Sequence, residues 1–338
     1  MKTLKEKIDF AIKLIQSAAA KAKEVGQPIE VCYSGGKDSD VILELVRMAK
    51  VEYRAIYKNT TIDPPGTIKH CRERGVEIMK PKYSFGQIIQ KTGFPSRNRR
   101  ICCAYLKEYK ILNYAILGIR SEESNKRKER YKEPEQCRVF NKKEKTKQYF
   151  PILNWTKKDV EDFVKERNIK LHPLYYDNKG NFISERRLGC MCCPLASKKN
   201  RILEFMKYPN MIKYYINNGQ KYLDKHPKSK INEYFNDAYE WLFFSLHYDS
   251  IAEFNEFMKE NIFGEKFDCK KYLSERFNVK FGDNEKKRDN SNRLNYDTSE
   301  HYKHNKTSQY NQTNHIQKSS NNTKNNIQHR QVYTSSRY

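Results

Sequence analysis

This chain carries the loop Ser34-Gly35-Gly36-Lys37-Asp38-Ser39 between a short strand and a helix. Residues 29–33 alternate as a strand, and the apolar residues from Val41 to Met48 recur with helical spacing. Two adjacent glycines let the backbone approach a ligand closely and present successive N–H groups to it. The helix that follows directs the positive end of its dipole to the same point. The segment therefore predicts a phosphate-binding loop.

The side chains of this loop suit the same task. Lys37 supplies a positive charge, Ser34 and Ser39 supply hydroxyl donors, and Asp38 is able to hold Mg²⁺. The spacing is not that of a Walker A loop, which requires G-x-x-x-x-G-K-[ST]. The alternative interpretation is an ordinary strand-to-helix turn, in which glycine is also common.

The alternation of strands and helices continues on both sides of the loop. The predicted elements are helices over 3–24 and 66–74, and strands over 53–57, 76–79 and 113–119. Such alternation predicts an α/β fold, a parallel sheet flanked by helices. Ligands of these sheets bind at the carboxyl ends of the strands. Polar segments follow two of the predicted strands, at 59–63 and 120–124.

The organisation changes after the predicted sheet. From Trp155 onward the pattern is mostly helical, whereas from about Asp283 the chain is rich in Asn, Gln, Ser, Thr and Lys. That last segment has too few aliphatic side chains to offset the entropy of ordering, which predicts disorder. We therefore predict a nucleotide-binding domain over 1–155, a mostly helical region containing cysteines over 156–282, and a disordered tail over 283–338.

The composition favours an anionic partner. The 338 residues include 66 Lys and Arg against 41 Asp and Glu, a net charge of +25, and 37% are hydrophobic, enough for a core. Residues 126–147 hold ten Lys or Arg against four Glu, which indicates either a nucleic-acid contact or a solvated insertion. No run of about 18 apolar residues and no secretory apolar region occurs. We expect a cytoplasmic protein that does not contact a membrane.

Five of the nine cysteines form two tight groups, Cys102-Cys103 and Cys190-Met191-Cys192-Cys193. A reducing compartment makes metal or redox chemistry a better explanation than disulfides. A CxxC turn binds one metal centre, and a second pair elsewhere completes four thiolates. Thiolates alone do not select iron over zinc, and buried inert cysteines are a further alternative.

Taken together, these motifs resemble the phosphoadenosine phosphosulfate reductase family, within the PP-loop ATP-pyrophosphatase (adenine nucleotide α-hydrolase-like) superfamily. The loop 34–39 matches the pyrophosphate-loop signature. Four later segments support the resemblance by their order and spacing: 59–63, 118–124, 151–160 and 189–194. The resemblance covers about residues 25–200 and implies the PP-loop fold.

The resemblance also implies roles for individual residues. Residues 34–39 would hold the phosphates of ATP with Mg²⁺, Asp63 would lie near the adenosine, and Lys37, Asp38 and Arg120 would be catalytic. Arg120, Glu123 and Ser124 match the signature that faces the substrate phosphate or sulfate. An arginine at the end of a strand suits bidentate binding of an oxyanion, although a surface ion pair with Glu122 or Glu123 is the alternative.

For the cysteines, the resemblance points to iron. The iron–sulfur members of the family, such as adenylyl-sulfate reductases and DNA phosphorothioation sulfur-transfer proteins, carry a similar CC…CxxC arrangement. It implies a [4Fe-4S] cluster on Cys102, Cys103, Cys190 and Cys193, with Zn²⁺ as the rival. Cys192 is not explained by the pattern and is either a spare thiol or one that carries sulfur.

The chain departs from the reductases of this family at two places. It lacks their late Glu-Cys-Gly-x-His-like motif, since its last cysteine, Cys269, has no glycine or histidine beside it. It also keeps Lys37 and Asp38, which the reductases usually replace. We therefore expect an enzyme that binds ATP, adenylylates an acceptor and releases pyrophosphate.

Sulfur transfer to DNA, tRNA or a small acceptor would follow this activation, with a persulfide donor such as a cysteine desulfurase. Two alternatives remain open. One is reduction of a sulfonucleotide, and the other is a non-catalytic nucleic-acid-binding module with a structural zinc site.

Overall fold

The computed structural model describes residues 2–140, 144–259 and 267–282. The predicted disordered tail, 283–338, lies outside the described residues, as do residues 141–143 of the basic segment. Within the described ranges, no helix combines the length and the apolar character needed to cross a membrane.

A six-stranded sheet forms the centre of the fold. Its strands are β1 (Ile29–Tyr33), β2 (Tyr53–Lys58), β3 (Glu77–Met79), β4 (Tyr114–Leu117), β5 (Glu135–Phe140) and β6 (Glu144–Tyr149). Their order across the sheet is β3-β2-β1-β4-β6-β5, and only the edge pair β5 and β6 is antiparallel. The predicted α/β fold with a parallel sheet is confirmed.

The strand order reverses at β1. The chain moves from β1 outward through β2 to β3, and then returns to place β4 on the other side of β1. Val31 pairs with Ala55 of β2 on one side and with Ile116 of β4 on the other. The loops that follow β1 and β4 therefore leave in different directions, and the crevice between them is where open α/β sheets bind ligands.

The first helix, α1 (Leu4–Glu24), forms as its sequence predicts. Thr3 and Glu6 make a capping box at its start, and its buried stripe recurs at steps of three and four: Ile8, Ala11, Ile15, Ala18 and Ala22. This stripe shares one hydrophobic cluster with Ile29 and Val31 of β1 and with Leu45 of α2 (Lys37–Ala49). Burial of this cluster fixes α2, and with it the loop 34–39, against the sheet.

Eleven further helices lie within the described residues. They are α3 (Thr67–Glu73), α4 (Phe85–Thr92), α5 (Ile101–Leu106), α6 (Asn125–Arg130), α7 (Lys157–Glu166), α8 (Lys198–Lys207), α9 (Asn210–Lys225), α10 (Lys230–Tyr234), α11 (Ala238–His247), α12 (Ile251–Lys259) and α13 (Cys269–Phe277). Short 3-10 turns span Ser121–Glu123 and Pro173–Tyr175. The predicted boundary after residue 155 remains a prediction, and α7 packs Val160 and Phe163 into the same cluster as α1.

A second hydrophobic cluster joins the C-terminal helices to α4 and α5. The aromatic side chains of Phe205, Tyr215 and Phe254 are completely or almost completely buried in it. These rings therefore form part of a core and not a stacking surface. The same cluster includes Cys102, Met191 and Cys192, so the two cysteine segments lie in the wall of the C-terminal core.

The basic segment contains regular structure. Residues 126–130 belong to α6, and β5 and β6 form an antiparallel pair in which Glu135 faces Tyr149. The second strand, β6, also pairs with β4 in the parallel sheet. The described part of this segment is therefore regular structure, and both interpretations of its charge, a nucleic-acid contact and a solvated insertion, stay predictions.

Candidate active site at the switch between β1 and β4

A cleft of about 510 Å³ opens at the carboxyl ends of β1 and β4. The loop 34–39 lines it from one side, Gly118 and Glu123 from a second, and Tyr175 and Arg187 from a third. A Cβ atom added to Gly118 would lie 2.8 Å from the carbonyl oxygen of Asp38, so the two loops are in direct contact. The cleft is thus placed where the fold predicts a ligand site.

Hydrogen bonds within the loop 34–39 hold its shape. The Ser39 hydroxyl donates to the Gly36 carbonyl at 2.7 Å and accepts from the Ser34 amide at 3.2 Å. Gly35 has φ +75°, a left-handed conformation that favours glycine. Both predicted serine donors are therefore engaged within the loop, Ser34 through a 3.2 Å contact between its hydroxyl and that of Ser39.

Lys37 begins α2 with its side chain almost fully buried, 7% exposed. Burial lowers the pKa of its ammonium group, and the charge of Asp38 opposes that shift. The ammonium nitrogen lies 3.5 Å from the Asp38 carboxylate and 5.6 Å from the centre of the Tyr175 ring. A buried ammonium group at the start of a helix is suited to bind an anion.

Asp38 and Arg120 form an ion pair across the cleft. Arg120 Nε donates to Asp38 Oδ1 at 2.7 Å, and Arg120 Nη1 donates to Glu122 Oε2 at 3.0 Å. The ion pair of the alternative interpretation, Arg120 with Glu122, is thus present, but Arg120 is only 4% exposed and also pairs with Asp38 inside the cleft. Lys37, Asp38 and Arg120 are together, and a cation bound at Asp38 would compete with both basic groups.

Glu123 and Ser124 hold the backbone beside the cleft. Glu123 pairs with Arg127, and its carboxylate accepts from the Arg120 amide at 3.4 Å. The Ser124 hydroxyl accepts from the Arg127 amide at 3.2 Å and so caps α6. Glu123 and Ser124 therefore stabilise the backbone here, in addition to the contact with phosphate that was predicted for them.

Two further arginines add positive charge to the cleft. Burial lowers the pKa of Arg127, and the charges of Arg187 and Arg120 lower it further. The charges of Arg120 and Arg187 also act on Lys37. Arg127 lies outside the motifs that carry the family resemblance. Arg187 carried only the weak signal of its basic pair with Arg186.

Asp40 anchors the loop from below, although the sequence analysis assigned it no role. It is completely buried. Its carboxylate accepts hydrogen bonds from the Tyr33 hydroxyl at 2.7 Å and from Arg74 Nε at 3.1 Å, and it lies 2.9 Å from His70 Nε2. Its amide donates to the Gly36 carbonyl at 3.0 Å. A buried carboxylate with this many partners fixes the first turn of α2.

Asp63 closes the turn that follows β2 and lines the same cleft. Its carboxylate accepts from the Thr60 amide at 2.8 Å and from the Thr60 hydroxyl at 2.7 Å. Thr61 in this turn has φ +63°. The predicted place of Asp63 near an adenosine stays a prediction.

The two cysteine groups lie within electrostatic reach of one another. The Cys102 thiol donates to the Cys103 sulfur, which raises the pKa of Cys102 and lowers that of Cys103 to about 6, with further lowering by Arg100. The charges of Cys193 and Cys190 raise the pKa of Cys102 as well. Among the described residues, no three His, Cys, Asp or Glu side chains have the geometry of a preformed metal site.

The CxxC turn is tied to the turn after β2. The Met191 amide donates to the Ile62 carbonyl at 2.7 Å, and the Cys190 thiol donates to the Thr60 hydroxyl at 3.5 Å. The four thiols of these two segments would supply the donor set of a four-cysteine metal centre. The two contacts place the CxxC turn beside the turn that contains Asp63.

Cys192 differs from its neighbours. It is completely buried, has φ +50°, and its carbonyl accepts from the Tyr215 hydroxyl at 2.9 Å. Burial raises the pKa of its thiol, which keeps the sulfur protonated and unreactive. A role in carrying sulfur is not supported by this environment.

Comparison with known proteins identifies the family of the chain. The sequence profile described as the phosphoadenosine phosphosulfate reductase domain matches residues 28–196, half of the chain, and the match includes the loop, Arg120 and all five clustered cysteines. The chain belongs to the phosphoadenosine phosphosulfate reductase domain family. The predicted family is thereby confirmed.

Curated relatives of this family member are distant. An uncharacterized protein of Methanocaldococcus jannaschii is 25% identical over 221 residues, 61% of this chain and 51% of the relative. The adenosine 5'-phosphosulfate reductase of Lysinibacillus sphaericus is 24% identical over 169 residues, 45% of this chain and 70% of the relative. The chain spans about half the length of three curated relatives that it matches.

Solved structures show weaker likeness. The phosphoadenylyl-sulfate reductase from Candida auris, in a phosphate complex, is 19% identical, with 52% of this chain and 92% of that chain covered and a TM-score of 0.36. The U34-tRNA thiolase NcsA from Methanococcus maripaludis, with its [4Fe-4S] cluster, is 16% identical, with 68% and 81% covered and a TM-score of 0.34.

Proposed function

We propose that this family member is an ATP-pyrophosphatase-type enzyme that adenylylates an acceptor for sulfur transfer. The observation that carries the proposal is that Arg120, which follows β4, pairs with Asp38 beside Lys37 in the loop that follows β1. A buried ammonium group beside a helix start favours a polyphosphate. Lys37 and Asp38 are the two residues that sulfonucleotide reductases of the family usually replace.

In the proposed reaction, an oxygen of the acceptor attacks the α-phosphorus of ATP. A new oxygen–phosphorus bond forms, the bond to the bridging oxygen breaks, and pyrophosphate leaves with that electron pair. Lys37, Arg120 and Arg187 would neutralise the charge that develops on the leaving group. Asp38 would release Arg120 as the polyphosphate enters, and would then be free to hold Mg²⁺.

The cysteine group would serve the second half of the reaction. Cys102, Cys103, Cys190 and Cys193 would hold a [4Fe-4S] cluster, which supplies a site where sulfur can be bound and passed on. Zinc at the same four thiols would instead be structural. The contact between the CxxC turn and Ile62 would keep that centre beside the activated acceptor.

A nucleic acid is the acceptor class that the charge favours. The net charge of +25 and the basic residues of α6 would gain affinity by releasing the counterions of phosphates. DNA and tRNA both fit this electrostatic argument, and a persulfide donor such as a cysteine desulfurase would supply the sulfur. Binding to both polymers, measured as a function of salt, tests this part of the proposal.

The central experiment is product analysis with anaerobically purified protein and ATP. We expect slow formation of AMP and pyrophosphate that Lys37→Ala abolishes, whereas Lys158→Ala, which changes a solvent-exposed lysine, leaves the rate unchanged. Production of ADP, or absence of both ATP binding and cleavage, contradicts the proposal.

Sulfonucleotide reduction is the second candidate, because one curated relative is an adenosine 5'-phosphosulfate reductase. Cys269 argues against it. This last cysteine of the chain is buried at the start of α13, and burial raises the pKa of its thiol to about 12. Release of sulfite from phosphoadenosine phosphosulfate or adenosine phosphosulfate would favour the reductase.

A further inference from the structure

Tyr175 reaches the phosphate loop from a distant part of the chain. It is 2% exposed and closes the 3-10 turn Pro173–Tyr175. Its hydroxyl oxygen accepts from the Lys37 amide at 3.1 Å and from the Leu188 amide at 3.3 Å. The Lys37 amide lies at the start of α2, where free amides of a helix can bind an anion directly. Here the Tyr175 hydroxyl occupies that amide.

The two amides leave the hydroxyl proton of Tyr175 without a partner. A phenol has one O–H donor, and both observed contacts use the oxygen as an acceptor. Among the described residues, none accepts that proton. The side chain lines the cleft beside Gly36, where an added Cβ would lie 3.4 Å from the hydroxyl oxygen. The proton is therefore available to a ligand in the cleft.

The surroundings define the charge of that ligand. The Lys37 ammonium nitrogen lies 5.6 Å from the ring centre, and the charges of Arg120 and Arg187 act on the same lysine. An oxyanion is the acceptor that these groups stabilise together, and O–H donation to an ionised oxygen is about twice as strong as a neutral hydrogen bond.

We propose that Tyr175 is a phosphate-binding residue supplied from outside the loop, which donates its hydroxyl proton to a polyphosphate oxygen of the bound nucleotide. The inference rests on the proposed nucleotide site. The amides of Lys37 and Leu188 aim the hydroxyl, and one tyrosine thereby joins the start of α2 to the segment that precedes the CxxC turn. Recognition of the phosphates then depends on residues on both sides of the cleft.

Calorimetric titration with inorganic pyrophosphate and, separately, with adenosine tests this inference. We expect Tyr175→Phe to weaken pyrophosphate binding about tenfold or more, because a hydrogen bond to a charged group is lost. Adenosine binding should stay within about twofold. Tyr176→Phe is the matched control, since its hydroxyl also accepts from a backbone amide, that of Leu171 at 3.2 Å.

A spectroscopic measurement separates donation from a purely structural role. In protein labelled with ¹³C at the tyrosine Cζ atoms, the Tyr175 signal, assigned by its loss in Tyr175→Phe, should shift when pyrophosphate saturates the wild-type protein. An unchanged signal, or equal pyrophosphate affinity in wild type and Tyr175→Phe, overturns the inference and leaves the proposed function intact. Failure of the wild-type protein to bind pyrophosphate or ATP instead overturns the proposed function.

Discussion

Arg120 Nε lies 2.7 Å from Asp38 Oδ1, and this ion pair joins the loops that follow the two central strands β1 and β4. Arg54 and Glu77 form a pair with the same Nε–oxygen distance of 2.7 Å on the surface. The side chains of the first pair are 5% and 16% exposed, against 43% and 44% for the second. The chain thus contains two arginine–carboxylate pairs of equal length and different solvation.

We expect the two pairs to differ in coupling energy. A double-mutant cycle with Arg120→Gln and Asp38→Asn should give about 2 kcal/mol, because removing one partner leaves a poorly solvated charge. The matching cycle with Arg54→Gln and Glu77→Gln should give less than about 1 kcal/mol, because water screens that pair. Urea unfolding of the single and double variants measures both values. Equal coupling energies in the two cycles would contradict the prediction that burial strengthens the Arg120–Asp38 pair.

Contact between the two loops also makes Gly118 sensitive to any side chain. An added Cβ would lie 2.8 Å from the Asp38 carbonyl oxygen, and backbone atoms at that distance must move. Gly118→Ala should therefore destabilise the fold by about 1–3 kcal/mol and weaken pyrophosphate binding by displacing the loop. Thermal and urea unfolding measure the first effect, and calorimetry measures the second.

The control for this substitution is Gly189→Ala. No atom lies within 4 Å of a Cβ added there, so its free energy of unfolding should match that of the wild type. Equal free energies of unfolding for Gly118→Ala and Gly189→Ala would contradict the close contact between Gly118 and Asp38.

The local sequence predicted the first four strands, β1 to β4, well, because their signals are short-range. Strand β1 begins and ends where its alternation predicts, and the apolar spacing of α1 matches its buried stripe. The hairpin of β5 and β6 was missed. Its strands are rich in Lys, Glu and Gln, and β6 is a strand because it pairs with β4, a partner that no local pattern reveals.

The site was predictable to the same extent. The loop 34–39 and Arg120 have sequence signatures, and the fold brings them together. Tyr175 had no such signal, because its contact with Lys37 joins residues 138 positions apart. Asp40 was missed for a similar reason, since its partners His70 and Arg74 come from a different helix and its terminus.

The four-cysteine proposal predicts a specific loss of metal. Anaerobically purified wild-type protein should contain iron and acid-labile sulfide and should absorb visible light. Cys103→Ser or Cys190→Ser should remove most of the iron and most of the sulfide. Cys137→Ser, which changes an exposed thiol on β5, should leave them unchanged. Zinc without sulfide would select the structural-zinc alternative, and a metal content insensitive to Cys103 and Cys190 would contradict the assignment of these ligands.

His172 predicts a dependence of stability on pH. The side chain is completely buried, and burial lowers its pKa from 6.5 to about 4, with a further contribution from the nearby His70. The unfolded chain binds a proton near pH 6.5, whereas the folded protein binds it only near pH 4. The free energy of unfolding should therefore fall as the pH decreases from about 6.5 to about 4, by up to about 3 kcal/mol from this residue.

His172→Asn isolates this contribution. The neutral ring accepts from the Leu174 amide through Nδ1 at 3.1 Å, and an asparagine oxygen is able to take over that contact without titrating. Urea unfolding at pH 7, 6 and 5 should show a smaller loss of stability on acidification for His172→Asn than for wild type. His226→Asn, which changes an exposed histidine, should keep the wild-type slope. Identical slopes for His172→Asn and wild type would contradict this prediction, because they would mean that the folded protein binds a proton at His172 near pH 6.5. The burial of the ring against His70 and Thr67 disfavours that protonation.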